Sequence, residues 1–203
     1  MKLSNNILIV EAVVKILKRL SLLAVLCVSL FVAILNVASA SEDSNRRLQI
    51  SLSIFPRIVA VDNDIKLKLT SKSRVLLAFL YKYDKAKTQI LADNLRRSIQ
   101  NIAGLNYIIA VVKVSGQLET QSVVPSAIFL AERLADEQFI ALMEYAIVKH
   151  IIVFSPFSGD VERGATVGIA ITSRVKPYFN IRTLEQSSIN INALLMKMSK
   201  RYE

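Results

Sequence analysis

The sequence predicts an α/β fold: a single domain with a largely parallel central sheet flanked by helices, and with a strand pair and a helix at its C-terminal end. Two observations predict this fold. Apolar runs of strand length alternate with amphipathic segments of helical length, which is typical of parallel sheets. The chain of 203 residues also shows no internal repeat, low-complexity tract or linker. One domain, over residues 48–203, is therefore expected.

The first forty residues differ from the rest and have the layout of an export signal. A basic cluster precedes an uncharged stretch over residues 20–40, which ends in Ala38-Ser39-Ala40. The small side chains at its end suit a signal peptidase. Residues 1–40 are expected to be a signal peptide, with an uncleaved membrane anchor as the alternative, because about 20 apolar residues can span a bilayer. Either way, the remaining chain would lie outside the cytoplasm.

Cysteine and charge restrict the chemistry of the exported part. The single cysteine, Cys27, lies in the apolar stretch, so cleavage after Ala40 would leave no thiol for a disulfide, a nucleophile or a metal site. The chain has 26 basic and 16 acidic residues, of which four basic residues and one acidic residue lie in residues 1–40. The remaining 22 basic and 15 acidic residues give a net charge of +7. An exported basic protein is expected to bind an anionic membrane surface or an acidic protein face rather than nucleic acid.

The first elements of the exported part are a helix and a strand. Residues 41–47 are polar and are expected to be mobile. Leu48 to Asp62 favours a helix, with a strand as the alternative, and Pro56 interrupts either pattern. Arg74 to Tyr81 is a continuous apolar run, which is typical of a strand buried on both faces.

The rest of the chain continues the alternation. Asp84 to Ala103 is expected to form a helix that Asp84 caps and Gly104 ends. The next four elements are a strand over Leu105 to Val114, a strand over Ser126 to Ala131, a helix over Asp136 to Lys149 and a strand over His150 to Ser155. The last three are strands over Ala165 to Ile171 and Val175 to Ile181, and a helix over Thr183 to Arg201.

The loop after the fourth predicted strand carries the candidate binding residues. It begins a stretch, SPFSGDVERGATVGI over residues 155–169, that holds three of the chain's five glycines: Gly159, Gly164 and Gly168. These glycines are expected to allow tight turns, at the carboxyl end of a strand, where open α/β sheets bind ligands. The candidates are Phe154 and Phe157 as apolar contacts, Asp160, Glu162 and Arg163 as polar contacts, and Asn180 as an internal hydrogen-bonding residue that ties the last strand to the loop.

The residues predict no catalytic, cofactor or metal site. No glycine-rich phosphate loop follows the strand Arg74–Tyr81. The only histidine, His150, lacks a set of converging ligands and is expected to be a partly buried structural residue at the start of a strand. Asp160 and Glu162 could pair as acid and base, but the adjacent Arg163 stabilises their charged forms and disfavours a general-acid role.

Three stretches near the C-terminus carry a family resemblance. They are Glu162–Ile169 (ERGATVGI), Val175–Ile181 (VKPYFNI) and Ile191–Ser199 (INALLMKMS). Together with the export signal and the α/β alternation, they resemble the YfiR family of periplasmic proteins. The resemblance implies a non-enzymatic regulatory protein that can form homodimers and that represses an inner-membrane diguanylate cyclase by contacting its periplasmic domain. The chain departs from the family in the sequence of residues 155–162, and it lacks the cysteines of the redox-tuned members.

Two other functions remain open from the sequence. A small-ligand-binding protein of the envelope would have a deep pocket at the loop, whereas a regulator would have an exposed apolar patch. A hydrolase would place a nucleophile and a base within hydrogen-bond reach, for instance Ser155 near His150.

Overall fold

A computed structural model describes residues 44–99, 102–114 and 123–203 of the chain. The export-signal prediction for residues 1–40 lies outside the described residues. Of the segment 41–47, which was expected to be mobile, residues 44–47 belong to the first helix. Arg47 explains this difference, because its guanidinium donates hydrogen bonds to the Pro156 and Ile169 carbonyls, both at 3.0 Å.

Five α-helices and seven strands occur in the described residues. The helices are α1 (44–60), α2 (Lys85–Ser98), α3 (Asp136–Val148), α4 (Ile181–Gln186) and α5 (Ala193–Met198). The strands are β1 (Arg74–Tyr81), β2 (Asn106–Lys113), β3 (Ala127–Leu130), β4 (Ile152–Phe154), β5 (Val167–Ile171), β6 (Val175–Asn180) and β7 (Lys200–Tyr202). A short 3₁₀ helix, Ile65–Lys68, precedes β1.

The strands form one sheet in the order β2-β1-β3-β4-β5-β6-β7. Strands β1 to β5 run parallel, β6 is antiparallel to β5, and β7 is parallel to β6. The predicted fold class, including the C-terminal strand pair β5–β6, is therefore confirmed. None of the described helices combines the length and the apolar character needed to cross a membrane.

The helices cover both faces of the sheet because the strand residues alternate between them. In β1, Val75, Leu77 and Phe79 join the core on the side of α1 and α2. Ala78 and Leu80 join the core on the side of α3. Since both faces are buried, β1 needs apolar residues at every internal position, which explains its uninterrupted run.

Four phenylalanines form the centre of the larger core. Phe55 of α1 packs against Phe79, Phe129 and Phe154 of three neighbouring strands, with ring centroids 5.3 to 6.1 Å apart. Phe129 also stacks on Phe79 at 4.9 Å and on Phe154 at 5.6 Å. All four rings are inaccessible to solvent. Offset and edge contacts of this kind add to the stabilisation from burial alone.

Two predicted helices differ in detail from the structure. The helix of the Leu48–Asp62 region is confirmed, and it continues through Pro56 rather than being interrupted there. Helix α2 ends at Ser98, because Ile99 is already extended. Gly104 does not end this helix. It forms a tight turn with Ala103, both with positive φ, that Leu105 closes by donating to the Ile102 carbonyl at 3.1 Å.

The predicted helix over Thr183 to Arg201 is wrong. The chain forms two short helices, capped by the side chains of Asn180 and Asn192, and then the strand β7. Between the helices, Asn190 accepts a backbone hydrogen bond from Asn63 at 2.8 Å, and Asn192 donates one to Val61 at 3.0 Å. This docking onto the chain after α1 breaks the helical pattern that the apolar spacing predicted.

Candidate functional site

The loop from residue 155 to residue 166 joins β4 to β5 and folds around the Asp160 carboxylate. Asp160 has no exposed surface. It accepts hydrogen bonds from the Ser155 hydroxyl and from Arg163, both at 2.7 Å, and the Arg133 guanidinium lies 3.6 Å away. The predicted role of Asp160 as a polar contact for a partner is therefore corrected, because the loop itself uses this side chain.

Arg163 ties the loop to the beginning of α3. Its guanidinium donates to the Asp136 carboxylate at 2.6 Å and to the Leu134 carbonyl at 3.3 Å, and it lies over the Phe139 ring at 4.3 Å. Together with the contact to Asp160, these contacts surround the guanidinium on several sides. The Arg163 side chain is only 23% exposed. Arg163 thus holds the loop in place, and little of it is left for a partner.

Asn180 has the internal role that the sequence predicts. Its amide nitrogen donates to the Val161 carbonyl at 2.8 Å, and its amide oxygen accepts from the Thr183 N–H at 2.9 Å. Thr183 in turn donates to the Gly164 carbonyl at 3.0 Å. The end of β6 and the start of α4 are therefore joined to the loop through two buried side chains.

The two phenylalanines lie in different surroundings. Phe154 is wholly buried in the core, so its predicted role as an apolar contact surface is corrected. Phe157 is half-buried and packs against the core on the side of α3. Glu162 is exposed. Of the six candidates, only Phe157 and Glu162 thus present substantial surface to solvent.

Phe157 and Glu162 line a shallow groove of about 170 Å³, which Arg47, Tyr178 and Lys200 also border. Burial, and then the nearby Glu162 carboxylate, raise the pKa of the Tyr178 hydroxyl. The Lys200 ammonium lies 4.3 Å from the centre of the Tyr178 ring. The groove is smaller than the 300 to 1,000 Å³ or so that is usual for small-molecule sites. The loop therefore forms no deep pocket in the described structure.

Gly168 is needed for close approach and not for a turn. A β-carbon at this position would lie 2.8 Å from the Ser155 carbonyl oxygen and 2.8 Å from a Val161 methyl group. Gly159 and Gly164, by contrast, have positive φ and form the predicted turns. The three glycines thus serve two purposes: two bend the loop, and one lets β5 pass beneath it.

The crevice between β1 and β3 is occupied by the protein's own carboxylate. The strand order reverses there, and this is where ligands bind in many doubly wound folds. Glu132, which follows β3, accepts backbone hydrogen bonds from Tyr83 at 3.0 Å and from Asp84 at 2.8 Å, just before α2. The sequence analysis missed Glu132. The sequence did contain a signal for this position, because an acidic residue directly follows a central predicted strand.

A second cavity lies at the opposite end of the sheet, at the amino ends of β1, β3 and β4. We call it the amino-edge basin, and its volume is about 630 Å³. It is lined by Asp64, Leu67, Lys68, Leu69, Thr70, Ser71, Val123, Val124, Pro125, Lys149, His150 and Ser188. Leu67 is 85% exposed, and Val123 and Val124 are 44% and 45% exposed. The sequence analysis did not identify this surface.

The walls of the amino-edge basin are fixed by buried polar contacts. The Ser126 hydroxyl donates to the Lys68 carbonyl at 2.6 Å and accepts from the Leu76 N–H at 3.1 Å, which joins the 3₁₀ helix to β1 and β3. The Lys68 ammonium lies 2.6 Å from the buried Asp62 carboxylate. These contacts therefore join the segments that form the basin.

His150 lies in the amino-edge basin and not at the start of a strand. It is exposed and has a positive φ of 55°, and its Nδ1 atom lies 2.8 Å from the Ser187 carbonyl oxygen. The predicted partly buried position is therefore wrong, because the chain turns at His150 before β4 begins. Ser155 lies beyond the other end of β4, so Ser155 and His150 do not form a nucleophile–base pair. No group of three metal-ligating side chains occurs in the described residues.

No protein-family model matches the chain, and no curated protein matches it. Solved structures do. One is the ABC domain in complex with L-Trp from Streptococcus pneumoniae, 14% identical over 71% of this chain and 60% of that one, with a TM-score of 0.44. Another is a ligand-free, open substrate-binding protein with adhesive properties from Clostridium difficile, 13% identical over 70% and 60%, with a TM-score of 0.46.

A third similar structure is a conserved domain protein from Vibrio cholerae O1 biovar El Tor, 15% identical over 68% of this chain and 57% of that one, with a TM-score of 0.43. The chain thus spans about three fifths of the length of these structures. Identities and TM-scores this low transfer none of their activities to this protein.

Proposed function

We propose that this protein is a non-enzymatic binding protein of the periplasm that regulates an inner-membrane signalling protein by contacting its periplasmic domain. The resemblance to the YfiR family suggests a diguanylate cyclase as the partner, held inactive by the contact. The observation that carries the proposal is the exposed apolar surface of the amino-edge basin. Regulation of this kind requires the protein to bind one state of its partner more tightly than another.

The exposure of the basin's apolar side chains favours a protein partner over a small ligand. Leu67 lines the cavity and is 85% exposed, whereas small-molecule sites are usually enclosed enough to bury most of the ligand. Apolar side chains exposed together are typical of protein–protein contact sites. A partner that covers Leu67, Val123 and Val124 would remove all three from water.

The net charge of the chain favours an acidic partner. The charges at the basin itself balance, because Lys149 and Asp64 both line the cavity and Lys68 is paired with Asp62. The part of the chain after residue 40 has a net charge of +7. We therefore propose a partner surface with apolar side chains at its centre and carboxylates at its margin, since carboxylates would be attracted to this basic protein.

The test is recovery of membrane proteins with the tagged protein purified from cells. We expect Leu67→Ser to weaken binding of the partner by about 5- to 30-fold, because losing one buried apolar contact at the centre of an interface reduces affinity by about 1 to 2 kcal/mol. Ile90→Ser is the matched control, because Ile90 is 61% exposed on α2, outside the basin. If the partner is a diguanylate cyclase, Leu67→Ser should also raise cellular cyclic-di-GMP.

Equal recovery of a membrane partner with wild type, with Leu67→Ser and with a Leu67→Ser/Val124→Ser double variant would remove the basin from the interface. Cell fractionation tests the location independently. Recovery of the folded protein from the cytoplasm would contradict the proposal.

A small-ligand-binding function is the second candidate, because the volume of the amino-edge basin, about 630 Å³, is within the usual range for such sites. Native mass spectrometry of the purified protein distinguishes the two functions. A bound small molecule that is retained by Leu67→Ser would favour the ligand-binding function, whereas loss of a membrane partner without any bound molecule favours the regulator.

A further inference from the structure

Strand β2 leaves one edge of the sheet open in the described structure. It is eight residues long, and every residue pairs with β1 on one side. The opposite edge, β7, has only three residues, Lys200, Arg201 and Tyr202, all exposed. Short, charged edge strands resist pairing with another chain, whereas long apolar ones promote it. The two edges of this sheet therefore differ in their capacity to bind a further strand.

The backbone groups on the open side of β2 can be identified from one hydrogen bond. Val114 donates to the Tyr81 carbonyl at 2.7 Å, so the even-numbered residues of β2 direct their N–H and C=O groups towards β1. The odd-numbered residues direct theirs outward: Tyr107, Ile109, Val111 and Lys113. Among the described residues, only Arg96 meets this edge, donating to the Ile109 carbonyl at 3.2 Å.

The side chains of β2 are incompletely covered on both faces of the sheet. Residues 107–111 are all of intermediate exposure. Tyr107, Ile109 and Val111 pack against the core on the side of α1 and α2, and Ala110 packs against the core on the side of α3. A strand added beside β2 would extend both layers and remove more of these side chains from water.

We propose that a second copy of this chain binds here, with its β2 antiparallel to the first and the two-fold axis passing at Ala110. In this register the outward residues face one another in pairs, Ile109 with Val111 and Tyr107 with Lys113, and about eight backbone hydrogen bonds form. Arg96 moves away from the Ile109 carbonyl. The register also separates the only charged residues of the strand, since each Lys113 lies opposite a tyrosine and not another lysine.

Self-pairing about Ala110 makes a specific prediction for cysteine crosslinking. Ala110 would form a non-hydrogen-bonded pair with its own copy, with α-carbons about 4.5 Å apart, which is within the range that a disulfide spans. In a Cys27→Ser background, Ala110→Cys should form a crosslinked dimer under oxidising conditions. Ile108→Cys is the matched control, because the two copies of Ile108 would be offset by four residues, about 13 Å.

Sedimentation of the full chain, as recovered from cells, tests the hydrogen bonds. Val111→Pro removes an outward N–H and leaves the ladder to β1 intact, so it should weaken dimerisation at least tenfold. Val111→Thr keeps the N–H and should behave as wild type. A monomeric wild type at tens of micromolar, or equal crosslinking of Ala110→Cys and Ile108→Cys, would overturn the proposal. The crosslinking arm does not depend on the folding of the proline variant, and neither arm involves the amino-edge basin.

Discussion

Asp160 places a negative charge where no solvent reaches it, and the loop around it is organised to neutralise that charge. The Ser155 hydroxyl and the Arg163 guanidinium each approach to 2.7 Å. Removing the Asp160 carboxylate leaves the Arg163 guanidinium without its buried partner. The loss of stability is then larger than the net contribution of the ion pair. The loop therefore depends on Asp160 for its structure before any partner is considered.

We expect Asp160→Ala to lower the free energy of unfolding by about 3 kcal/mol, because it leaves Arg163 and Ser155 without their buried acceptor. Asp136→Ala is the control, since it removes the other acidic partner of Arg163 at a side chain that is 87% exposed. A loss below about 1 kcal/mol is expected there. Urea denaturation measures both, and equal losses would show that burial does not decide the effect.

Tyr107 gives the stability of the protein a dependence on alkaline pH. Burial raises the pKa of its hydroxyl from 10.0 to about 12, so the folded state holds this proton more tightly than the unfolded state. The contribution to stability is complete below pH 10 and is lost as the pH rises towards 12. Denaturant titrations at successive pH values should show this decline, and Tyr107→Phe should reduce it. An unchanged decline in Tyr107→Phe would assign it to other groups.

Gly168 shows how one residue sets the distance between the loop and β5. The strand passes beneath the Ser155 carbonyl and the Val161 side chain, with no room for a β-carbon. An added methyl group would have to displace backbone, because one of its two close neighbours is a carbonyl oxygen. The close contact explains a glycine in the middle of a strand, where this residue is otherwise unfavourable.

Gly168→Ala should lower the free energy of unfolding by about 1 to 3 kcal/mol, the range for overpacking a filled site. Ala170→Ser also adds one heavy atom to β5, at a half-exposed position, and should change stability by less than about 0.5 kcal/mol. Thermal unfolding of the two variants makes the comparison. A Gly168→Ala protein as stable as wild type would show that the loop can move away from β5.

Elements whose pattern is decided by burial were predictable from the sequence. Arg74–Tyr81 has the predicted bounds because both of its faces are covered. The C-terminal segment was not predictable, because β7 exists only through its pairing with β6, and no local pattern in Lys200–Tyr202 indicates that pairing. The apolar spacing over residues 183–201 fits one continuous helix as well as it fits the observed structure. The pairing of β7 with β6 therefore decides the outcome.

The sheet separates two sets of surface features in the described structure. The loop after β4 lies at the carboxyl ends of the parallel strands, and the amino-edge basin lies before β1, β3 and β4. The order of strands and helices predicted the first edge as the site. The basin could not be predicted, because Leu67, Val123 and Val124 are ordinary apolar residues whose exposure only the fold reveals.

The four-phenylalanine cluster supports both edges, since it joins α1 to the three central strands. Phe154→Ala should therefore lower the free energy of unfolding by about 3 to 5 kcal/mol, as expected for a buried ring. Phe157→Ala, three residues away and half-buried, should have a distinctly smaller effect. Chemical denaturation of both variants tests this. Similar losses would mean that the loop contributes as much to the core as the cluster does.

Glu132 acts as a tethered substitute for a dissolved anion at the N–H groups of Tyr83 and Asp84. Because the carboxylate is attached to the chain, its local concentration at those groups does not depend on what the solution contains. A nucleotide or sugar phosphate would first have to expel it. The Glu132 carboxylate therefore competes with any phosphate for these N–H groups. A phosphate ligand could bind in this crevice only if that one side chain were lost.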